Sequence, residues 1–235
     1  MKLFNAKKAL SQFLYRKYNS SFSQGGEDLI LAGLLTQKLN GFFVDIGAFH
    51  PYKFSNTFRF YRKGWSGINI DAVPGSMDIF RKLRPRDINI EAAISETPEQ
   101  LTYYYLGKEN SMNTFSKDFL INMGAEKEIK KEITITTQRL DGVLEKYAAG
   151  KEIDMMSVDV EGLELSVLQS NDWNKFRPRV ILLESFELMN EQNDYDLPIK
   201  DYFKTVGYRM VCKTTNGIFF LRDDLKLNKF NHILY

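Results

Sequence analysis

The sequence predicts an α/β fold: a doubly wound, mostly parallel sheet closed by a reversed C-terminal strand. Three observations predict it. Short apolar runs alternate with segments of helical periodicity, as in repeated strand–helix–strand units. The run Phe42-Phe43-Val44-Asp45-Ile46 stops at Gly47, the mark of a buried strand entering a tight turn. Near the end, Tyr208 to Cys212 and Gly217 to Leu221 flank the turn residues Thr215-Asn216-Gly217, which pairs them as an antiparallel hairpin.

The elements follow in order. Residues 1–22 carry Lys2, Lys7, Lys8, Arg16 and Lys17 around Leu3, Phe4, Leu10, Phe13 and Leu14. That is the pattern of a basic amphipathic helix, able to dock on the domain, on a partner subunit or weakly on an anionic membrane surface. The segment lacks the apolar core and cleavage site of a signal peptide. Residues 23–235 are expected to form a single domain. Ser23 is expected to cap a helix reaching Lys38, with Leu29, Ile30, Leu34 and Leu35 on its apolar face. Phe42 to Ile46 is the first strand, Phe54 to Lys63 a helix with Ser55 or Asn56 near its start, and Gly67 to Asp71 the second strand. Pro74 to Leu83 is a crossover helix. Ile88 to Ile94 is a third strand, followed by a hairpin through Leu101 to Leu106. The polar, aperiodic stretch from Lys108 to Glu132 is expected to be a lid or insertion over the site. Ile133 to Thr137 alternates at period two, as a strand does. Leu140 to Tyr147 is a helix, Asp154 to Asp159 a strand and Leu163 to Leu168 a helix. Val180 to Glu184 is a strand, and Ile199 to Val206 a helix before the closing hairpin.

Charge and composition narrow the function. A net charge of +2, from 32 basic and 30 acidic side chains, lacks the basic excess of a nucleic-acid binder, so no nucleic-acid partner is expected. No apolar run approaches the ~18 residues of a membrane span. Cys212 is the only cysteine, so no internal disulfide forms. That suits a reducing, cytoplasmic compartment, with peripheral contact at the inner membrane face as the alternative. Aromatic residues make up 14% of the chain and concentrate in Tyr52 to Trp65 and Tyr103 to Tyr105, which serve either the core or a sugar-stacking surface.

The first turn identifies the ligand class. Gly47 lets backbone approach a ligand, and Asp71 ends the second strand 26 residues after Asp45, where an acid accepts hydrogen bonds from ribose hydroxyls. A dinucleotide site needs further glycines after the first, to open a nest for the pyrophosphate. Here Phe49 and Tyr52 stand in those places, which disfavours a nicotinamide or flavin dinucleotide. No Gly-x-x-x-x-Gly-Lys-[Ser/Thr] segment for nucleoside triphosphates is present either. S-adenosylmethionine carries no phosphate. It asks for a carboxylate near the first turn, an acid after the second strand and a polar–apolar turn after the third. Asp45, Asp71 and Ala92-Ala93-Ile94-Ser95 supply these in order.

At this point the residues resemble a known family. Ser23-Gln24-Gly25-Gly26-Glu27-Asp28, Phe43-Val44-Asp45-Ile46-Gly47-Ala48, His50-Pro51 and Ser55-Asn56-Thr57 are similar to the opening motifs of FkbM-type methyltransferases. Ile70-Asp71-Ala72, Ala92-Ala93-Ile94-Ser95, Thr137-Gln138-Arg139-Leu140-Asp141 and the run from Ile153 to Glu164 follow in the family's order. The resemblance covers roughly Ser23 to Glu184. It implies the class I methyltransferase (Rossmann-like) fold and methyl transfer from S-adenosylmethionine, usually to an oxygen of a sugar or natural product. The acceptor is then a small molecule or a glycan, with polysaccharide modification as one outcome. It also places Gln24, Asp45, Gly47, Ala48, Asp71, Ala72, Ala93, Ile94 and Asp159 at the cofactor.

An alcohol acceptor loses a proton, so a base or a metal is expected. His50 follows the first turn. It is a candidate base, with an ordinary pKa of about 6.5, or else a helix cap or turn support. His232 is expected at the surface. Asp159, Glu161 and Glu184 stand at strand ends, where carboxylates orient an acceptor, take its proton or hold a divalent cation. The alternative for Asp159 and Glu161 is helix capping. Ser55, Asn56 and Thr57 are candidate acceptor contacts or helix caps. Glu27 and Asp28 are either first-turn helix acids or site residues. Arg59, Arg62 and Lys63 are expected on a solvated face. A non-catalytic binding module on the same fold, or N-methylation of an amino sugar, are the competing functions.

Overall fold

Strand β1 (Phe42–Ile46) is buried along its whole length. A sheet covered by helices on both faces has no polar side, so its strands read as continuous apolar runs. The computed structural model describes residues 20–35, 38–108, 110–185 and 197–226. The expected N-terminal helix falls almost wholly outside the described residues, and His232 entirely so.

The strands that build the main sheet with β1 are β2 (Ser66–Asp71), β3 (Ile88–Glu91), β7 (Met155–Val158), β8 (Val180–Glu184), β9 (Tyr208–Lys213) and β10 (Gly217–Arg222). Their order is β3-β2-β1-β7-β8-β10-β9. Every pairing from β3 to β8 is parallel, whereas β10 runs antiparallel to both β8 and β9. This is the doubly wound sheet with a reversed strand that the sequence predicts, and the reversed strand lies one in from the edge. The winding direction changes between β1 and β7. Crossovers leave those two strands toward opposite sides, which opens a crevice at their carboxyl ends.

Adjacent residues of each strand face opposite layers, as the two-residue strand period requires. Phe43, Met155, Leu182 and Phe219 pack with Leu31, Phe60 and Trp65 on one face. Val44, Met156, Ile181 and Phe220 pack with Leu140, Leu144, Leu168 and Phe203 on the other. The first layer rests on helix α1 (Glu27–Leu34) and α2 (Phe58–Arg62). Helix α3 (Met77–Leu83) follows β2.

Strands β4 (Ala93–Ile94), β5 (Gln100–Tyr105) and β6 (Lys131–Gln138) form a second sheet, ordered β4-β6-β5. It arises because the run Ile88 to Ile94, expected as one strand, breaks at Ala92. The Ala92 N–H makes the last bond of the β2–β3 ladder, to the Asp71 carbonyl at 2.9 Å, and Ala93–Ile94 pair instead with Thr137–Gln138. The expected hairpin partner of residues 101–106 is therefore β6, in antiparallel register. The lid segment hangs between β5 and β6 and carries helix α4 (Lys117–Asn122) over a small cluster of Leu106, Leu120 and Ala125. Helices α5 (Leu140–Ala148), α6 (Glu164–Gln169) and α7 (Leu197–Thr205) complete the described layers.

Three helices start three or four residues later than expected, α3 at Met77 among them. Helix α1 begins after Gly26, while Ser23 Oγ accepts the Asp28 N–H from outside the helix at 3.2 Å. Helix α2 begins after Thr57, because Phe54 sits at φ 52° and Ser55 Oγ takes the Phe58 N–H at 3.1 Å. Arg59, expected on a solvated face, is buried and donates to Asp28 at 3.0 Å and to the Ser20 carbonyl at 2.7 Å. Asp28 also accepts from Ser21 Oγ and the Phe22 N–H, so this pair ties residues 20–23 across both helices. Removing one member of a buried pair strands the other charge. Arg59→Ala is expected to cost about 3 kcal/mol in urea denaturation, and Lys63→Ala, on the exposed side, to stay within about 0.5 kcal/mol.

Candidate active site

The site begins with a backbone contact. Gly47 and Ala48 both donate their N–H to the Ile70 carbonyl, at 2.9 and 3.0 Å, which stops β1 against β2. Gly47 has φ 79°, and a Cβ there would overlap the carbonyl oxygen of Asp159. Only glycine lets the tips of β1 and β7 come this close. Beyond the contact the two chains part around a cavity of about 400 Å³. That volume lies within the ~300–1,000 Å³ of small-molecule sites.

One wall carries Asp45, Asp71, Ala72, Ala93 and Ile94. The Asp71 oxygens accept the Phe49 N–H at 3.0 Å and the Val73 N–H at 2.8 Å. Each oxygen keeps acceptor capacity toward the cavity. Burial raises the Asp71 pKa above the usual carboxylate range, and these backbone bonds oppose the rise. Burial likewise pushes Asp45 up to about 6, against a hydrogen bond from Thr57 and the charge of Arg84.

The opposite wall carries Asp159, Glu161 and Glu184, whose carboxyl oxygens lie within 4.8 Å of one another. Burial is the main cause of their raised pKa values, and mutual repulsion adds to it: Glu161 reaches about 9, Glu184 rises well above its ordinary value, and Asp159 rises too. Glu184 and Asp159 meet carboxyl to carboxyl, an arrangement that favours one proton shared by the pair. The other Glu184 oxygen, Oε2, is buried with no partner among the described residues. Glu164 has a different task. Its Oε1 accepts the N–H of Val160 and of Gly162, at 3.1 and 3.2 Å, and so fixes the turn that presents Glu161.

The lid forms the roof. Thr114 donates its hydroxyl to the Glu161 carbonyl at 2.6 Å, and Met112, Phe115, Phe119 and Met123 face the cavity. Asn113 braces the loop by accepting the Leu106 N–H at 2.7 Å and donating to the Asn110 carbonyl at 2.6 Å. Tyr103 reaches in from β5. Burial and the nearby Asp71 and Glu161 charges raise its pKa, so its hydroxyl keeps its proton.

These features belong to one family. The methyltransferase FkbM domain matches residues 45–210. The chain belongs to the FkbM methyltransferase family. No curated protein matches it. Among solved structures it is similar to a candidate RNA methyltransferase from Pyrococcus horikoshii, at 8% identity and a TM-score of 0.44, over 84% of this chain and 83% of that one. The fold assignment of this FkbM domain stands on its strand order.

Of the residues singled out in the sequence, Gln24, Asp45, Gly47, Ala48, Ser55, Asn56, Asp71, Ala72, Ala93, Ile94, Asp159, Glu161 and Glu184 line the cavity of the FkbM domain. His50 and Thr57 do not line it. The His50 Nδ1 accepts the N–H groups of Tyr52 and Lys53, at 3.3 and 3.1 Å, and supports the turn. Thr57 has no exposed surface and lies beneath Asp45, to which it donates at 2.6 Å. Glu27 lines the cavity as a sixth carboxyl side chain beside Asp45, Asp71, Asp159, Glu161 and Glu184, and the described lining contains no Lys, Arg or His. Phe54 and Tyr103, from the aromatic runs read as core or sugar-stacking surface, also line it, as does Phe49, which the sequence analysis noted only as standing where a dinucleotide site needs glycine.

The protons held in the acidic wall predict a pH dependence. An acid whose pKa is higher folded than unfolded binds more protons in the native state between the two values, so stability falls as pH rises through that window. For Glu161 the window runs from 4.5 to about 9. The melting temperature of the ligand-free protein is expected to fall across it, and Glu161→Gln to flatten the fall in differential scanning fluorimetry. A slope unchanged in the variant would contradict the raised Glu161 value.

Proposed function

We propose that this FkbM domain is an S-adenosylmethionine-dependent methyltransferase acting on a hydroxyl of an uncharged sugar, glycan or polyol-type natural product. One observation carries the proposal: a single cavity at the winding switch brings Asp45 and Asp71 to one wall and the Asp159–Glu161–Glu184 cluster to the other. A lining with six carboxyl side chains and no cationic one among the described residues suits a ligand with ammonium and sulfonium charges, and the unpartnered Glu184 Oε2 leaves an acceptor unused there.

S-adenosylmethionine, when bound, supplies a methyl group on a sulfonium that needs no further activation. The residues would position and deprotonate. Asp71 would accept ribose hydroxyls with the capacity left beside its backbone bonds. Asp45 would face the ammonium, and Ala72, Ala93 and Ile94 would flank the base. Asp159 and Glu184 would share one proton and carry one negative charge between them, and Asp159 would accept the proton of the acceptor hydroxyl. Glu161, protonated at neutral pH, would donate to an acceptor oxygen. Asn56 and Ser55 are offered as acceptor contacts at the rim. His50 takes no part in proton transfer in this scheme, because its ring serves the turn. The lid would exclude water once the cavity is filled.

The same lining selects the acceptor. A phosphate, a nucleotide-linked sugar or a nucleic acid would bring negative charge beside carboxylates with no cationic lining residue to balance it. The net charge of +2 points the same way. A second reading rests on the acidic cluster itself: an amino sugar would place its ammonium there, which makes N-methylation the alternative chemistry.

Isothermal titration calorimetry with S-adenosylmethionine tests the cofactor. Saturable binding is expected, weakened by Asp71→Ala through lost hydrogen bonds by ~1–3 kcal/mol. An absence of binding would overturn the proposal. Asp159→Asn is expected to lower turnover on a hydroxyl acceptor by roughly 10²–10⁴ while cofactor binding persists. Mass spectrometry on neutral, anionic and amino sugars separates the readings, since methylation of phosphorylated acceptors alone would contradict the charge argument.

A further inference from the structure

Asp45 is the end of a buried chain. Its Oδ2 accepts from Thr57 Oγ1 at 2.6 Å, and Thr57 Oγ1 accepts from Arg84 Nη1 at 2.9 Å. Arg84 Nε bonds Asp87 Oδ2 at 2.7 Å. Thr57 and Arg84 have no exposed surface, and the guanidinium sits 5.1 Å from the ring centres of Phe43 and Tyr61. Asp87, its partner, also accepts from the Gly67 N–H and Asn69 Nδ2.

The chain has a fixed polarity. An arginine side chain only donates, and a hydroxyl has a single proton. Thr57 Oγ1 receives Arg84, and of its two remaining neighbours, Asp45 Oδ2 at 2.6 Å and Ser55 Oγ at 3.3 Å, its own proton goes to the nearer carboxyl oxygen. Asp45 must therefore accept on Oδ2, which favours its ionised form and fixes its orientation. A guanidinium removed from water is costly unless its donors are used, and an ion pair with Asp87 alone would not require an arm directed at the cavity wall.

We infer that Arg84 and Thr57 are positioning residues for the cofactor site, holding the Asp45 carboxylate charged and aimed at the ammonium of a bound amino-acid moiety. This inference rests on the proposed use of the cavity for S-adenosylmethionine. The charged groups facing Asp45 are Arg84 and Asp87 on the side of α3 and β3, and Asp159 at the tip of β7. Burial and the two acids raise its pKa to about 6, while Thr57 and Arg84 hold it down.

Thr57→Val keeps the side-chain shape and the Arg84–Asp87 pair but removes the hydroxyl. In the ligand-free protein, the Asp45 carboxyl carbon followed by NMR should titrate near pH 6 in the wild type. In the variant the midpoint should rise by roughly one pH unit, and Thr57→Ser should restore it. Calorimetry with S-adenosylmethionine should show an affinity roughly fivefold weaker than wild type at pH 6, with the two converging by about pH 8.5. 5′-Methylthioadenosine, which lacks the amino-acid moiety, should bind both proteins alike. Should Thr57→Val not fold, Thr57→Ala is measured in the same way. An Asp45 midpoint unmoved in the folded variant, or equal weakening for both ligands, would overturn the inference. If wild-type protein fails to bind S-adenosylmethionine at all, the cofactor assignment falls, and the NMR titration still decides whether the chain controls Asp45.

Discussion

The cavity depends on how closely β1 and β7 approach at their carboxyl ends. Gly47 packs its bare Cα against the Asp159 carbonyl, in a conformation that L side chains rarely adopt. That contact sets the spacing between the two acidic walls. Asp45 is two residues before it on one strand, and Glu161 two residues after it on the other chain. A side chain at position 47 would push the tips apart and displace both walls together. The glycine is therefore a packing requirement of the sheet before it is a feature of any ligand site.

Strain collects around the same opening. Among the described residues, the non-glycine positions with positive φ are Phe49, Phe54 and Glu161, and all of them line the cavity. Each such conformation costs roughly 1–3 kcal/mol and persists only where surrounding bonds over-determine it. For Glu161 those bonds can be named. Glu164 takes the N–H groups on either side, and Thr114 of the lid takes the carbonyl. The lid is thus anchored to the backbone of the residue whose carboxyl it covers, so lid position and Glu161 orientation are mechanically linked.

Much of this was legible in the sequence, and the limits have physical causes. Strand ends and turn glycines are local signals, so Asp45, Gly47, Asp71 and the acids after β7 could be placed from a few neighbouring residues. The mostly parallel sheet and its reversed strand followed from the alternation of elements and the closing hairpin, though not the order of the strands. The second sheet was not legible, because Ala93 and Ile94 leave β2 for partners at Thr137 and Gln138, more than forty residues on, which nothing in the apolar run Ile88 to Ile94 announces. Arg59 and Arg84 were not legible either. A cation on a short helix or just before a proline looks solvated, and only the tertiary fold shows that Asp28 and Asp87 wait for them. Thr57 was noticed as part of Ser55-Asn56-Thr57, but its role needs two partners that lie 12 and 27 residues away.

Electrostatics joins these parts. Six carboxyl side chains around one cavity, with no cation in the described lining, cannot all be charged at once. The protein distributes the protons unevenly. Asp45 and Asp71 face fixed donors, Thr57 for one and backbone N–H groups for the other, and such bonds favour the charged form. Glu161 and Glu184 face mainly other acids and are buried, so both hold protons more tightly than ordinary carboxyls, and Glu184 and Asp159 share one. The result is a graded cavity: fixed donors favour charge at Asp45 and Asp71, and protons are held where Glu161 and Glu184 crowd with Asp159. A histidine is not needed to supply a base in such a setting, because burial, with Glu27 nearby, already raises the Asp159 carboxyl above its ordinary value, against the hydrogen bond with Glu184.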